Sequence, residues 1–231
     1  MQELRQTFHR ELASLEQHLL QMGAIADTMV GDSVQALITG NVELAESVIS
    51  RDDVVDAMDL DIDTRCINLF ALQQPLAKDL RTVGSAFKVT TDLERIGDHA
   101  VDIAKIARKN ARLFFASKPL VDVGPLSNMA RRMVQQSLKA LVQHDKELAE
   151  QVCRDDDEVD EKFKELRDEL LNVTQTNSNL ALPASYLLLA VVYLERIADH
   201  ATNIAERVTF VETGHLEPSL RHVSNIDEAI H

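Results

Sequence analysis

Residues 36–56, ALITGNVELAESVISRDDVVD, align without a gap on residues 140–160, ALVQHDKELAEQVCRDDDEVD, an offset of 104. Residues 93–104, LERIGDHAVDIA, return as LERIADHATNIA at 194–205, an offset of 101, so the second half is three residues shorter between the two landmarks. This internal duplication constrains the fold more than any other feature. Whatever the first half folds into, the second half must fold into as well. A period near 100 is too long for a solenoid repeat and suits a small domain.

The element each half uses is set by periodicity. Leu4, Phe8, Leu12, Leu15, Leu19, Met22, Ala26, Met29 and Ser33 recur at spacings of four and three, which places them on one face of a long amphipathic helix over 4–37. Gly40 is suited to the left-handed conformation that ends such a helix. The pattern predicts a second helix over 42–73, stopped at Pro75, and a third over 76–111. With aromatics at 4%, 7 Gly, 5 Pro and no Trp, the residues that favour sheets and tight turns are scarce. The expected fold is therefore all-α: two tandem, internally duplicated three-helix bundles with six long helices. The halves are read as 1–113 and 126–213, joined by a linker at 114–125 and followed by a polar tail at 214–231.

The 24 basic and 38 acidic residues leave a net charge of −14, which repels phosphate backbones and argues against nucleic acid as a partner. Cys66 and Cys153 have no metal-ligand spacing and read as two reduced thiols. The charged start MQELRQTFHRELASLEQ lacks the apolar core of a secretion signal. The longest apolar run, residues 180–194, is too short for a membrane span and is broken by Pro183, so no membrane insertion and a cytoplasmic location are expected.

Carboxylates are the chemically suggestive groups. Asp52/Asp56 and Glu94/Asp98 in the first half, and Asp156/Asp160 and Glu195/Asp199 in the second, are pairs four residues apart. Like charges so placed share one helix face and cost about 0.2–0.5 kcal/mol per pair. Asp56 and Glu94 are equidistant from Pro75, as are Asp52 and Asp98. Asp160 with Glu195 and Asp156 with Asp199 share a midpoint between Asn177 and Ser178, inside the matching helix break. Across an antiparallel hairpin, equidistant residues stand level. Each half then gathers four carboxylates, which need a cation or raised pKa values to coexist. An all-oxygen set suits Mg²⁺, Mn²⁺, Ca²⁺ or iron, with more than one ion per site conceivable. The alternative is a solvated acidic face, with Arg95 and Arg196 supplying counter-charge. His99 and His200 fall off the face of Glu94 and Glu195; they read as packing or supporting groups, with ligation from a neighbouring face as the alternative. Asp59 and Asp63 continue the Asp52/Asp56 stripe, but Phe163 occupies the position matching Asp59, so both are expected at the surface. Asp102, matched by Asn203, is likewise not expected to be an essential ligand. No phosphate loop, nucleophile elbow or zincin motif is present.

LALQQPLAKDLRTVGSAFKVTTDLERIGDHAVDIA at 69–103 and the repeated YLERIADHATNIAE resemble the PhoU family of phosphate-uptake regulators. The resemblance covers residues 1–213 and both halves. It implies tandem three-helix bundles and metal clusters at the eight carboxylates named above; the ion is left open among Fe, Zn, Mg, Mn and Ca. Gly97 and Ala198 differ between the two motifs, which implies unequal sites. The family resemblance further implies a non-enzymatic, cytoplasmic negative regulator of the phosphate-starvation response. Such an adaptor works between the ATPase subunit of the Pst phosphate transporter and a sensor histidine kinase, restrains uptake, and is expected as a homodimer. A metal-dependent, carboxylate-bridged enzyme or metal store is the rival reading.

Overall fold

A computed structural model describes residues 2–73, 78–113 and 120–215, with the side chains of 2–4, 72–73 and 112–113 left aside. Pro75, residues 114–119 of the expected linker, the side chain of Leu4 and residues 216–231 of the tail lie outside the described residues. The described chain is helical, with no strand: α1 (Gln2–Thr39), α2 (Val42–Ser50), α3 (Asp52–Gln73), α4 (Lys78–Leu113), α5 (Gly124–Gln143), α6 (Lys146–Thr176) and α7 (Ala181–Thr213), with one 3₁₀ turn at Ser178–Leu180. The all-α, duplicated architecture is as expected. Six rods carry seven helices because the second rod of the first half is interrupted at Arg51. There the backbone N–H reaches Val48 O as well as Ile49 O, while the guanidinium donates to Asp32 on α1 and to Ser47 O. Asp155 holds the matching position in α6, which runs through unbroken.

The expected face of α1 is the buried one: Phe8, Leu15, Leu19, Met22, Ala26, Met29 and Ser33 are all buried, and Leu12 packs beside them. Burying a Leu or Met side chain fully is worth about 1.5–3 kcal/mol, so this stripe anchors α1 to the core. The duplication repeats at the level of caps. Gly40 ends α1 with φ +67°, and His144 takes φ +53° at the matching end of α5. Asn41 and Asp145 then start the next helix, each side-chain oxygen accepting the N–H three residues on, from Leu44 at 3.0 Å and Leu148 at 2.9 Å. Glycine tolerates a positive φ at no steric cost, whereas His144 holds it beside Glu212, whose Oε1 lies 3.2 Å from its Nδ1.

Each half is a three-rod unit, and the halves also pack on each other. α1 and α5 touch, α4 and α7 touch, and α1–α4 and α5–α7 close the set into a central four-helix layer. α2 and α3 lie on α1 and α4 at one flank; α6 lies on α5 and α7 at the other. The buried side chains of both halves form one continuous cluster. Arg131 of α5 clamps Asp27 of α1 across the junction, Nε to Oδ1 at 2.8 Å and Nη2 to Oδ2 at 3.0 Å.

Pro183 does not interrupt α7 as expected. It sits in the first turn, where the N–H that proline lacks would have had no partner within the helix. The stretch Ser178–Thr213 is in consequence long and apolar enough to cross a membrane by length and composition. In the fold it packs against α4, α5 and α6, with Leu187, Val191, Leu194, Ile197 and Ile204 buried, and it carries Glu195, Arg196 and Asp199.

Candidate functional site

In the first half, the acidic edge of α3 turns toward the acidic edge of α4. Burial raises the pKa of Asp52, and Asp56 and Asp98 add to the rise, against the pull of Lys105. Burial likewise raises Glu94, with Asp98, Asp59 and Asp56 adding to it and Arg95 opposing. Asp52 thus feels Asp98, and Glu94 feels Asp56, so the pairs equidistant from Pro75 lie within electrostatic reach of each other. Glu94 Oε2 is buried without a hydrogen bond; its nearest counter-charge is Arg95 Nε at 3.3 Å. Arg95 is shared, since Nη1 donates to Asp98 at 2.9 Å.

Asp59 and Asp63 correct the expectation of a surface position. Both are half-buried. Burial raises the pKa of Asp59, with Asp63 and Asp56 adding to it, and burial raises Asp63, whose Oδ1 has no hydrogen-bond partner. The first-half cluster therefore extends down α3 through Asp52, Asp56, Asp59 and Asp63, at spacings of four, three and four. That continuous stripe was the signal in the sequence. The contrast with Phe163 marks a difference between the halves, since Phe163 packs against the core where Asp59 faces Glu94.

In the second half, Glu195 is pushed up to about 7, first by burial, then by Asp199 and Asp160, with Arg196 opposing. Burial also raises Asp160; Asp157 adds to the rise and Lys164 opposes it. Asp156 is only 3% exposed. The halves differ in spacing as well: a Cβ on Gly97 would stand 3.3 Å from Val55 Cγ1, a tight contact, whereas Ala198 already carries that methyl and is fully buried. Gly97 lets α4 approach α3 closely.

Among the described residues, no three His, Cys, Asp or Glu side chains are gathered as a ready-made metal set. The chemistry of the carboxylates nevertheless fits a hard cation: oxygen donors only, more carboxylates than neighbouring cations, and in Glu94 a buried oxygen with no hydrogen bond. A bound ion would offset the burial and mutual repulsion that raise the pKa values of Asp52, Glu94, Asp160 and Glu195.

The two histidines serve a different place. His99 stacks on Tyr193, with ring centroids 5.4 Å apart, and lies 5.6 Å from His200 in the seam between α4 and α7. His200 Nδ1 is 2.9 Å from Asp92 Oδ1, and Asn203 Nδ2 donates to the same oxygen at 3.1 Å. Tyr193 bonds in turn to Asp102. At the offset of 101, Asp92–Asn203 and Tyr193–Asp102 are the same pair of positions with the halves exchanged, so the seam has an approximate two-fold character. Burial and the neighbouring His200 push His99 down to about 4, so it packs as a neutral ring. The sequence pattern does not single out Asp92 and Tyr193, because the residues at these matching positions differ.

A family model described as "PhoU domain" matches the chain twice, over residues 19–107 and 123–208. A phosphate-specific transport system accessory protein PhoU homolog from Clostridium acetobutylicum is 37% identical over 212 residues, 91% of this chain and 96% of that protein. Its counterpart from Pseudomonas aeruginosa is 34% identical, covering 95% of this chain and 90% of that one. Among solved structures, PhoU from Pseudomonas aeruginosa superposes with a TM-score of 0.86 at 35% identity, covering 90% of this chain and 100% of that one. The phosphate transport system regulatory protein PhoU from Streptococcus pneumoniae gives 0.82 at 29%, covering 91% and 99%.

Proposed function

The chain belongs to the PhoU family, and from that premise we propose that it is a negative regulator of the phosphate-starvation response, with carboxylate-held cations stabilising both halves. The observation that carries the regulatory reading is the paired family match, one domain in each half, alongside relatives named as accessory proteins of phosphate-specific transport. A role in phosphate regulation follows from that membership.

The finer reading is an adaptor. A cytoplasmic helical protein, working as a homodimer, contacts the ATPase subunit of the Pst transporter and a sensor histidine kinase, biases the kinase toward its off state when phosphate is plentiful, and restrains uptake. It performs no chemistry of its own. The helical surface supplies the contacts, and the long rods keep surface and acidic sites in fixed register. Asp52, Asp56, Glu94 and Asp98, extended by Asp59 and Asp63, would hold cations in the first half. Asp156, Asp160, Glu195 and Asp199 would hold them in the second. A divalent or iron-type ion supplies positive charge that lets these carboxylates stay ionised side by side. An ion bound only by the folded state adds to its stability.

Deletion and complementation test the regulatory reading. A strain lacking the gene should express a phosphate-starvation reporter in high phosphate, and the intact gene should restore repression; normal repression in the deletion strain refutes it. Elemental analysis of natively purified protein, beside an Asp98→Ala, Asp199→Ala variant, tests the cation sites. Metal that stays at the same level in the variant refutes them. Oxygen-consuming iron uptake by the purified chain would favour a metal store instead.

A further inference from the structure

α3 and α6 hold the same place in the two halves, and at the offset of 104 their buried positions agree. Val55, Ile62 and Cys66 match Val159, Leu166 and Leu170, all buried. Their solvent faces do not agree. On α3, Ala57, Leu60, Thr64, Ile67 and Ala71 are exposed and recur at spacings of three and four, forming one ridge along the outer side. Leu60 is 68% and Ile67 58% exposed. The matching residues of α6 are Glu161, Lys164, Asp168, Leu171 and Gln175. Three charges and an amide in one helix are thus absent from its twin, while the buried positions of Val55, Ile62 and Cys66 stay apolar in both. A single exposed leucine needs no explanation, but an uncharged ridge with helical spacing on an otherwise highly charged chain does.

The ridge also has a charged border. One edge adjoins the stripe of Asp52, Asp56, Asp59 and Asp63 facing Glu94. The other carries Asp61, which Arg65 pairs at 2.6 Å. Antiparallel pairing of α3 with α3 of a second copy would set the two acidic stripes side by side in chains that each carry −14, and an anionic lipid surface would meet the same repulsion. The chemistry that fits is apolar in the middle and basic at the edge.

We propose that the outer ridge of α3, centred on Leu60 and Ile67, is a docking surface for a partner protein presenting an amphipathic helix whose apolar seam is bordered by Lys and Arg. The partner's seam packs along the ridge, and its basic border lies over the acidic stripe. This deepens the adaptor reading and rests on it: the contact face belongs to the first half only, and α6 keeps the solvated surface that such a helix would have without a partner.

The test installs the twin's residues: Ala57→Glu, Leu60→Lys and Thr64→Asp together in the full-length chain. All three positions face solvent, so thermal unfolding should match wild type. The probe is a synthetic 18-residue amphipathic helix with a Leu seam edged by Lys, read by fluorescence anisotropy beside the same peptide with Glu for Lys. The Lys peptide should bind wild type at least about tenfold tighter than it binds the variant, and tighter than the Glu peptide binds wild type. The variant is one charge more negative than wild type, so mere attraction between basic peptide and acidic protein would leave binding unchanged or strengthen it; either result overturns the proposal. A wild-type dimer that becomes monomeric in the variant during sedimentation overturns it in favour of self-pairing. In cells the variant should lose repression as the deletion does. Repression intact in the variant but lost in the deletion overturns the ridge and leaves the regulatory reading standing; repression intact in the deletion overturns the regulatory reading itself.

Discussion

Glu195→Gln should stabilise the metal-free protein at pH 8 and destabilise the cation-loaded protein. The glutamate is raised from 4.5 to about 7, mainly by burial and then by Asp199 and Asp160. In the folded chain it holds its proton more tightly than in the unfolded chain. Below pH 4.5 both states are protonated and the group is neutral in effect. As pH climbs from 4.5 toward 7, the unfolded state loses its proton first, and the folded state is penalised until it too ionises. At about 1.4 kcal/mol per pH unit, the ceiling on that penalty is about 3.4 kcal/mol. Glu195 is only partly buried, and solvent screening reduces the penalty to about 1–2 kcal/mol. Glutamine keeps the shape and removes the charge, so in a chelator the variant should gain about that much at pH 8 and nothing near pH 4.5. With excess Mn²⁺ or Mg²⁺ the sign should reverse, because the carboxylate becomes a ligand. Urea unfolding at the two pH values, with chelator and with metal, checks this. A variant that is less stable than wild type at pH 8 in chelator, or equally altered at both pH values, refutes the reasoning.

Asp59→Asn removes one of the like charges acting on Glu94, so the Glu94 carboxyl should titrate at lower pH in side-chain NMR, and Phe163→Leu in the other half should leave it unmoved. Arg131→Met leaves Asp27, only 13% exposed, without its two charged hydrogen bonds, and should cost about 1–3 kcal/mol in denaturant unfolding. Burial pushes the Cys66 thiol up to about 12, so a thiol reagent at pH 8 should label half-buried Cys153 first and reach Cys66 only when the chain unfolds.

The stripe from Phe8 to Ser33 was legible because a 3.6-residue period imposed on apolar residues already names the buried face. That Asp52 comes within electrostatic reach of Asp98, and Asp56 of Glu94, was legible because helix rise is constant, so distance from a turn fixes height. Asp59 was misplaced by the same duplication that revealed its neighbours. Comparing two halves shows only what they share, and Phe163 hid a carboxylate that acts in one half alone. The interruption at Arg51 left no trace in the pattern either, since it depends on Asp32 of another helix.

Local period, cap chemistry and repetition are properties of short stretches, and the sequence alone settled them: the long helical rods, most of their ends, and two sibling halves. The docking of one half on the other was decided only in three dimensions. The Arg131–Asp27 clamp, the stacked His99 and Tyr193, and the shared Asp92 join residues 94 to 111 positions apart, in pairings that neither half contains by itself. Such contacts arise from how two finished surfaces fit, and no periodicity within either half encodes that fit.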